Sequence, residues 1–68
     1  MNPEVNDILE KIRKYRIEKG MSIVQLSVES GISRSHLYYI ETKQTIPTLD
    51  TLAKIADALG LKLKDFFV

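Results

Sequence analysis

The chain has 68 residues, the size of one small domain, and a formal net charge of only +1 at pH 7. Apolar residues make up 44% of it, which suffices for the well-patterned core that so small a domain needs. It has no cysteine, so it offers neither disulfides nor thiolate metal ligands. No apolar run approaches the ~20 residues that span a bilayer, and no signal-peptide pattern is present. We therefore expect a cytoplasmic protein that makes no membrane contact.

Positive charge is concentrated in one segment although the total is near zero. Five basic residues lie close together there: Lys11, Arg13, Lys14, Arg16 and Lys19. A local basic stripe of this kind can attract phosphates. A solvated helix face explains the same segment and is, for that segment alone, the more common case.

The first helix is predicted from Pro3 or Asn6 to Lys19. Asn2 suits the N-cap and Pro3 the first helical position, while Gly20 suits the end of the helix. Apolar residues recur at helical spacing between these limits: Val5, Ile8, Leu9, Ile12 and Tyr15.

Two short helices joined by a tight turn are predicted next. Ser22 and Ser33 are good N-caps, and Gly31 can adopt the left-handed conformation that ends a helix. The helices would run over Ile23–Ser30 and from Arg34 to about Thr42. Two helices joined in this way form the helix-turn-helix unit, whose second helix can lie in a DNA major groove.

The second helix of this unit has two distinct faces when it is mapped at about 100° per residue. Leu37 and Ile40 share the face predicted to be buried. The opposite face carries groups that can hydrogen-bond base edges or phosphates, namely Arg34, Ser35, Tyr38, Tyr39 and Thr42. An ordinary solvated surface remains the alternative for this helix taken alone.

In the preceding helix, Val24 and Val28 lie outside the stripe of Leu26, and we expect them to widen the core contact rather than to contact a partner.

The remainder of the chain predicts a loop, a fourth helix and a short final helix. Thr48 is the N-cap after the loop from Lys43 to Pro47, and Gly60 ends the fourth helix. The apolar stripe of that helix is Leu49, Leu52, Ile55, Ala56 and Leu59. A fifth helix in the tail would place some of Leu61, Leu63, Phe66 and Phe67 on the core.

The chain resembles the phage repressor and Cro type of helix-turn-helix domain, also called lambda repressor-like. The residues that carry the resemblance are Ile12-Arg13-Lys14-Tyr15-Arg16, Lys19-Gly20-Met21-Ser22, Leu26-Ser27, Ser30 through Ser35, Leu37, Ile40-Glu41, Pro47 through Leu52, Ile55-Ala56 and Leu59-Gly60. The resemblance implies an all-α, five-helix bundle in which residues 1–68 form one domain and residues 22–42 the helix-turn-helix unit. A small stand-alone regulator, such as a restriction–modification controller protein, is one form it suggests.

The resemblance also implies residue roles. Base contacts are expected from Arg34, Ser35, Tyr38 and Tyr39. Contacts to the DNA backbone are expected from Ser22, His36, Thr42, Lys43, Gln44, Thr48 and Arg13. Arg16 and Glu41 are expected to form a structural ion pair. Lys43 stands where related domains usually have glycine, and Ile23 stands where they often have glutamine.

The implied function is that of a sequence-specific transcriptional regulator, a repressor, which binds a near-palindromic operator as a homodimer. The recognition helix would be residues 34–42, and two such helices would lie about 34 Å apart. The expected dimer interface is Leu61, Phe66, Phe67 and Val68, with one phenylalanine buried and the other shared with a partner. The alternative is a protein-interaction module, for example an antitoxin-like protein that binds its partner through His36, Tyr38 and Tyr39.

An enzyme is poorly supported. His36 is the only histidine, and the sequence has neither a metal-ligand cluster nor a glycine-rich phosphate loop. We expect no catalytic residues, no metal or other cofactor, and no small-molecule ligand.

Overall fold

Residues 2–68, which the computed structural model describes, form four α-helices and one short 3₁₀-helix. The elements in chain order are α1 (Pro3–Glu18), α2 (Ile23–Ser30), α3 (Arg34–Glu41), α4 (Leu49–Ala58) and a 3₁₀-helix (Leu63–Phe66). No strand occurs among these 67 residues, and none of their helices is long and apolar enough to cross a membrane.

Each α-helix begins at a side-chain cap, as the sequence predicted. The capping oxygens belong to Asn2, Ser22, Ser33 and Thr48, and each accepts a hydrogen bond from a backbone N–H in the first turn of its helix. In α3, for example, Ser33 Oγ accepts from the N–H of His36 at 3.2 Å. Such a cap contributes about 1 kcal/mol, so the starts of the helices are set locally.

The turn between α2 and α3 depends on Gly31. Its φ of +74° lies in the left-handed region, and its N–H donates to the carbonyl of Ser27. Apart from Gly31 and its two chain neighbours, no residue has an atom within 4 Å of the place where a Cβ would stand. Glycine is therefore favoured here by backbone conformation and not by lack of space. Ile32 follows and is buried at the corner of the two helices.

One apolar core joins all the helices. Its members are Leu9, Ile12, Met21, Leu26, Ile32, Leu37, Ile40, Leu52, Ile55, Ala56, Leu59 and Phe66. Leu37 and Ile40, on the predicted inner face of α3, are completely buried. The predicted orientation of that helix is thereby confirmed.

The predicted fifth α-helix is wrong, because the tail forms only one 3₁₀ turn, Leu63–Phe66. Leu61 and Leu63 both pack against the core, although residues two apart lie on nearly opposite sides of an α-helix. An extended Lys62 allows both to point inward. Residues three apart eclipse in a 3₁₀-helix, so Leu63 and Phe66 then share the inner face.

Three apolar residues expected in the core are exposed. Leu49 is 66% exposed because it occupies the first position of α4, where a side chain points back toward the helix start and beyond the bundle. Val24 and Val28 are 50% and 77% exposed. Each lies two positions from the fully buried Leu26, hence about 200° around the helix from it. The expectation that the two valines widen the core contact is therefore wrong.

Candidate nucleic-acid interface

The outer face of α3 carries the four residues expected to contact bases. Arg34, Ser35, Tyr38 and Tyr39 are all exposed, and they stand on the side opposite the buried pair of leucine and isoleucine. The two tyrosine rings lie edge to face, with their centroids 5.8 Å apart. A guanidinium, a hydroxyl and two phenols therefore form one continuous polar surface.

An ion pair ties the end of α3 to α1, as expected for Arg16 and Glu41. Arg16 Nε lies 2.7 Å from Glu41 Oε2 and Nη2 lies 2.9 Å from Oε1, which is a bidentate geometry. The third nitrogen, Nη1, donates to the carbonyl of Met21 at 2.8 Å. The side chains are only 12% and 4% exposed. Arg16 therefore positions α3 and does not serve as a free phosphate ligand.

Lys43, in the loop after α3, has the left-handed backbone conformation that favours glycine. Its φ is +66°, the only positive value of a non-glycine residue among residues 2–68. This conformation lets the N–H of Gln44 donate to the carbonyl of Tyr39 at 2.8 Å, which closes the helix. The left-handed conformation costs a residue with a side chain about 1–2 kcal/mol. The loop therefore keeps its shape although Lys43 makes that conformation less favourable.

The ammonium of Lys43 is held by Glu10 of α1. Lys43 Nζ lies 2.7 Å from Glu10 Oε1. The hydrogen bond and the charge of Lys43 lower the pKa of Glu10 below its usual value, so the carboxylate is ionised at neutral pH. A DNA phosphate would have to compete with Glu10 for this lysine. Sequence reasoning missed Glu10, because Glu10 and Lys43 are 33 positions apart and no local pattern predicts that they are in contact.

The other residues expected to contact the DNA backbone are exposed, but several of their polar groups are already engaged. These residues are Ser22, His36, Thr42, Gln44, Thr48 and Arg13. The hydroxyls of Ser22 and Thr48 cap helices, and Thr42 Oγ1 donates to the carbonyl of Tyr38 at 2.7 Å. Arg13 lines a groove of about 460 Å³ together with Tyr38 and Thr42. The structure thus brings Arg13 next to the recognition face, and direct DNA contacts by these residues remain predictions.

The expected dimer residues divide into two groups. Phe66 is completely buried in the core, where the centroid of its ring lies 6.0 Å from that of Tyr15, so its assignment to the interface was wrong. Phe67 and Val68 are 54% and 85% exposed, and Leu61 packs partly against the core. One phenylalanine is therefore buried, as expected, and the sharing of the other with a partner remains a prediction.

A second groove combines α2 with the exposed face of α3. Its volume is about 380 Å³ and it is lined by Ile23, Val24, Arg34, Ser35, Tyr38 and Tyr39. Ile23 and Val24 were not among the predicted site residues. Val24 is exposed and Ile23 partly exposed beside α3, and their place in this groove depends on how α2 packs through Leu26.

Two short helices, a glycine turn between them and a polar outer face on the second helix define a protein of the helix-turn-helix class. A helix-turn-helix family model matches residues 12–66. The chain belongs to this family, in its phage repressor and Cro type, and the family binds double-stranded DNA.

Relatives of this chain include regulators of bacteria and phages. It is 46% identical over 57 residues to the HTH-type transcriptional regulator SlrR of Bacillus subtilis, with 82% of this chain and 38% of SlrR covered. It is 37% identical over 54 residues to the immunity repressor protein of Bacillus phage phi105, with 79% of this chain and 38% of the repressor covered. The chain thus spans 38% of the length of each of these two relatives.

Solved structures with the same fold include a controller protein. The restriction–modification controller protein C.AhdI of Aeromonas hydrophila matches with a TM-score of 0.89 and 28% identity, covering 98% of this chain and all of C.AhdI. A chain of the SinR protein/SinI protein complex matches with a TM-score of 0.79 and 33% identity, covering 87% of this chain and 58% of the matched one.

Proposed function

We propose that this chain is a sequence-specific DNA-binding transcriptional regulator, and specifically a repressor, which places α3 in the major groove. The observation that carries the proposal is the orientation of α3. Leu37 and Ile40 are fully buried, while the arginine and tyrosine side of the helix is exposed. The regulator and repressor relatives support the same function.

Within this proposal, Arg34 reads a guanine. It stands at the first position of α3, and the N-terminal residues of a recognition helix are the ones that contact base edges. A guanidinium can donate two parallel hydrogen bonds to guanine O6 and N7. Ser35, Tyr38 and Tyr39 follow on the same face and contact neighbouring base edges or the sugar-phosphate strand.

Phosphate contacts come from the rim of the recognition face. Arg13 lies beside Tyr38 and Thr42, and Lys43 lies at the end of α3. The starts of α2 and α4 present backbone N–H groups that suit a phosphate, because the dipole of a helix is positive at its N-terminus. Such contacts set the register of the protein on DNA but carry no direct sequence information.

The buried ion pair explains how α3 keeps its angle to the bundle. Arg16 joins the last residue of α3, Glu41, to the carbonyl of Met21, which precedes α2. The recognition helix is therefore positioned before DNA binds. Preorganisation of this kind reduces the ordering cost of association.

A homodimer completes the proposal, because one small domain reads only a few base pairs. Two copies related by a twofold axis would place their recognition helices about 34 Å apart on a near-palindromic site. Leu61, Phe67 and Val68 are the proposed interface residues. The exposed ring of Phe67 supports this assignment, since aromatic residues are enriched in protein interfaces.

Selection of bound sequences from a random DNA pool tests the function directly. We expect a near-palindromic consensus whose half-site spacing reports the geometry of the dimer. The association constant should fall steeply with salt concentration, as counterion release requires. Absence of any preferred sequence at low salt, together with tight binding to an acidic protein, would instead support the protein-interaction module.

A further inference from the structure

The groove between α2 and α3 contains an exposed apolar surface that hydrogen bonding to DNA does not use. Ile23 and Val24 form its α2 side, and Arg34, Ser35, Tyr38 and Tyr39 form its α3 side. Val24 is 50% exposed, and Ile23 is partly exposed above its contact with the core. Neither side chain can donate or accept a hydrogen bond.

The position of these aliphatic groups limits what they can contact. They line the same groove as Arg34, so the groove opens onto the face that would meet the bases. Among the groups that unmodified base pairs present in the major groove, the apolar one is the C5-methyl of thymine. A 5-methylcytosine carries the same methyl group on the same ring carbon. The surface therefore fits a methylated pyrimidine next to the guanine that Arg34 reads.

We propose that Ile23, Val24 and the ring of Tyr38 form an apolar notch that binds the C5-methyl group of a pyrimidine adjacent to this guanine. The inference rests on the proposed function and adds a second element of sequence readout, made by α2, to that of α3.

Val28 provides a matched control for Val24. Both are valines on α2, and Val28 is the more exposed of the two at 77%. Val28 does not line the groove. A general effect of exposed apolar surface would appear when either valine is changed, whereas methyl recognition depends on Val24 and not on Val28.

The test uses the full chain and a site enriched from the random pool. In one set of duplexes, each thymine next to a guanine is replaced by deoxyuridine, which removes only the methyl group. In a second set, each cytosine next to a guanine is replaced by 5-methylcytosine. For the wild-type protein we expect about a fourfold loss of affinity per half-site in the first set, or a similar gain in the second, from one methyl-sized group of about 0.8 kcal/mol. The set that responds identifies the pyrimidine.

The variants decide whether the notch is responsible. Val24→Ala, which removes both γ-methyl groups of valine, should lose most of the discrimination between the paired duplexes. Val28→Ala should behave like the wild type. Equal methyl sensitivity of wild type and Val24→Ala, or loss of it in Val28→Ala, would overturn the inference while leaving DNA recognition by α3 intact. Failure of the pool to yield any preferred site would overturn the proposed function, and the notch with it.

Discussion

Removal of the carboxylate of Glu41 is the sharpest test of how the recognition helix is held. In the Glu41→Ala variant, the guanidinium of Arg16 loses both partners of a bidentate pair, at 2.7 Å and 2.9 Å. Its side chain is only 12% exposed, so water cannot fully replace them. The variant therefore leaves a nearly buried charge with one remaining hydrogen bond, to the carbonyl of Met21.

The expected loss of stability is large for a domain of this size. Breaking a buried ion pair by removing one partner costs about 3–5 kcal/mol. We expect about 3 kcal/mol, the lower end of that range, because Arg16 keeps its bond to Met21 and a small exposed fraction. The whole domain has a free energy of unfolding of about 3–10 kcal/mol at the usual value per residue. The melting temperature should fall by about 12–24 °C, since each kcal/mol shifts it by about 4–8 °C at this size.

Urea and thermal unfolding followed by circular dichroism measure this effect. Asp57→Ala is the matched control, because it removes an exposed carboxylate from α4 and should change stability little. The double variant Arg16→Met with Glu41→Leu should recover most of the loss, since apolar residues of similar volume can replace a buried pair. Unfolding free energies of Glu41→Ala and Asp57→Ala within about 1 kcal/mol of each other would refute the reasoning, because a stranded buried charge costs several times that.

Three further predictions concern DNA binding and assembly. Arg34→Ala should lose about 1–3 kcal/mol of discrimination at one base position per half-site, and a repeated pool selection with unchanged preference at every position would contradict this. Glu10→Gln should release Lys43 for a phosphate, so that affinity rises and the slope of log affinity against log salt steepens by about 0.9. Asp57→Asn, which makes the same change in charge on α4, is its control, and equal slopes for the two variants would exclude competition by Glu10. Phe67→Ser should weaken the dimer in sedimentation equilibrium without lowering the stability of the subunit, because the ring is 54% exposed; unchanged dimerisation would remove Phe67 from the interface.

Sequence reasoning succeeded where the determinants are local. Ser22, Ser33 and Thr48 were identified as N-caps because a capping side chain bonds only two or three residues ahead. Gly31 was predicted to end α2 because glycine adopts the left-handed conformation more readily than other residues, and the structure shows it in that conformation. The inward direction of Leu37 and Ile40 followed from helical spacing, and the exposed face of α3 followed from the same map.

Prediction failed where a side chain's surroundings come from distant parts of the chain. Leu49 continues the apolar period of α4, but it is the first residue of that helix and its side chain lies beyond the bundle. Helical periodicity alone therefore does not predict its exposure. Phe66 and Phe67 are adjacent and chemically identical, and only the 3₁₀ turn decides which one enters the core. The resemblance to known domains, and not the pattern itself, suggested the pair of Arg16 and Glu41.

The sequence alone determined the starts of α2, α3 and α4, the glycine turn and which side of α3 faces water, because caps, turns and helical periodicity act over a few residues. The tertiary structure alone decided that Glu10 holds Lys43, that Val24 borders the groove beside Arg34, and that Phe66 rather than Phe67 enters the core. These features depend on how helices distant in sequence pack against one another. The orientation of that packing is a property of the whole core and of no single segment.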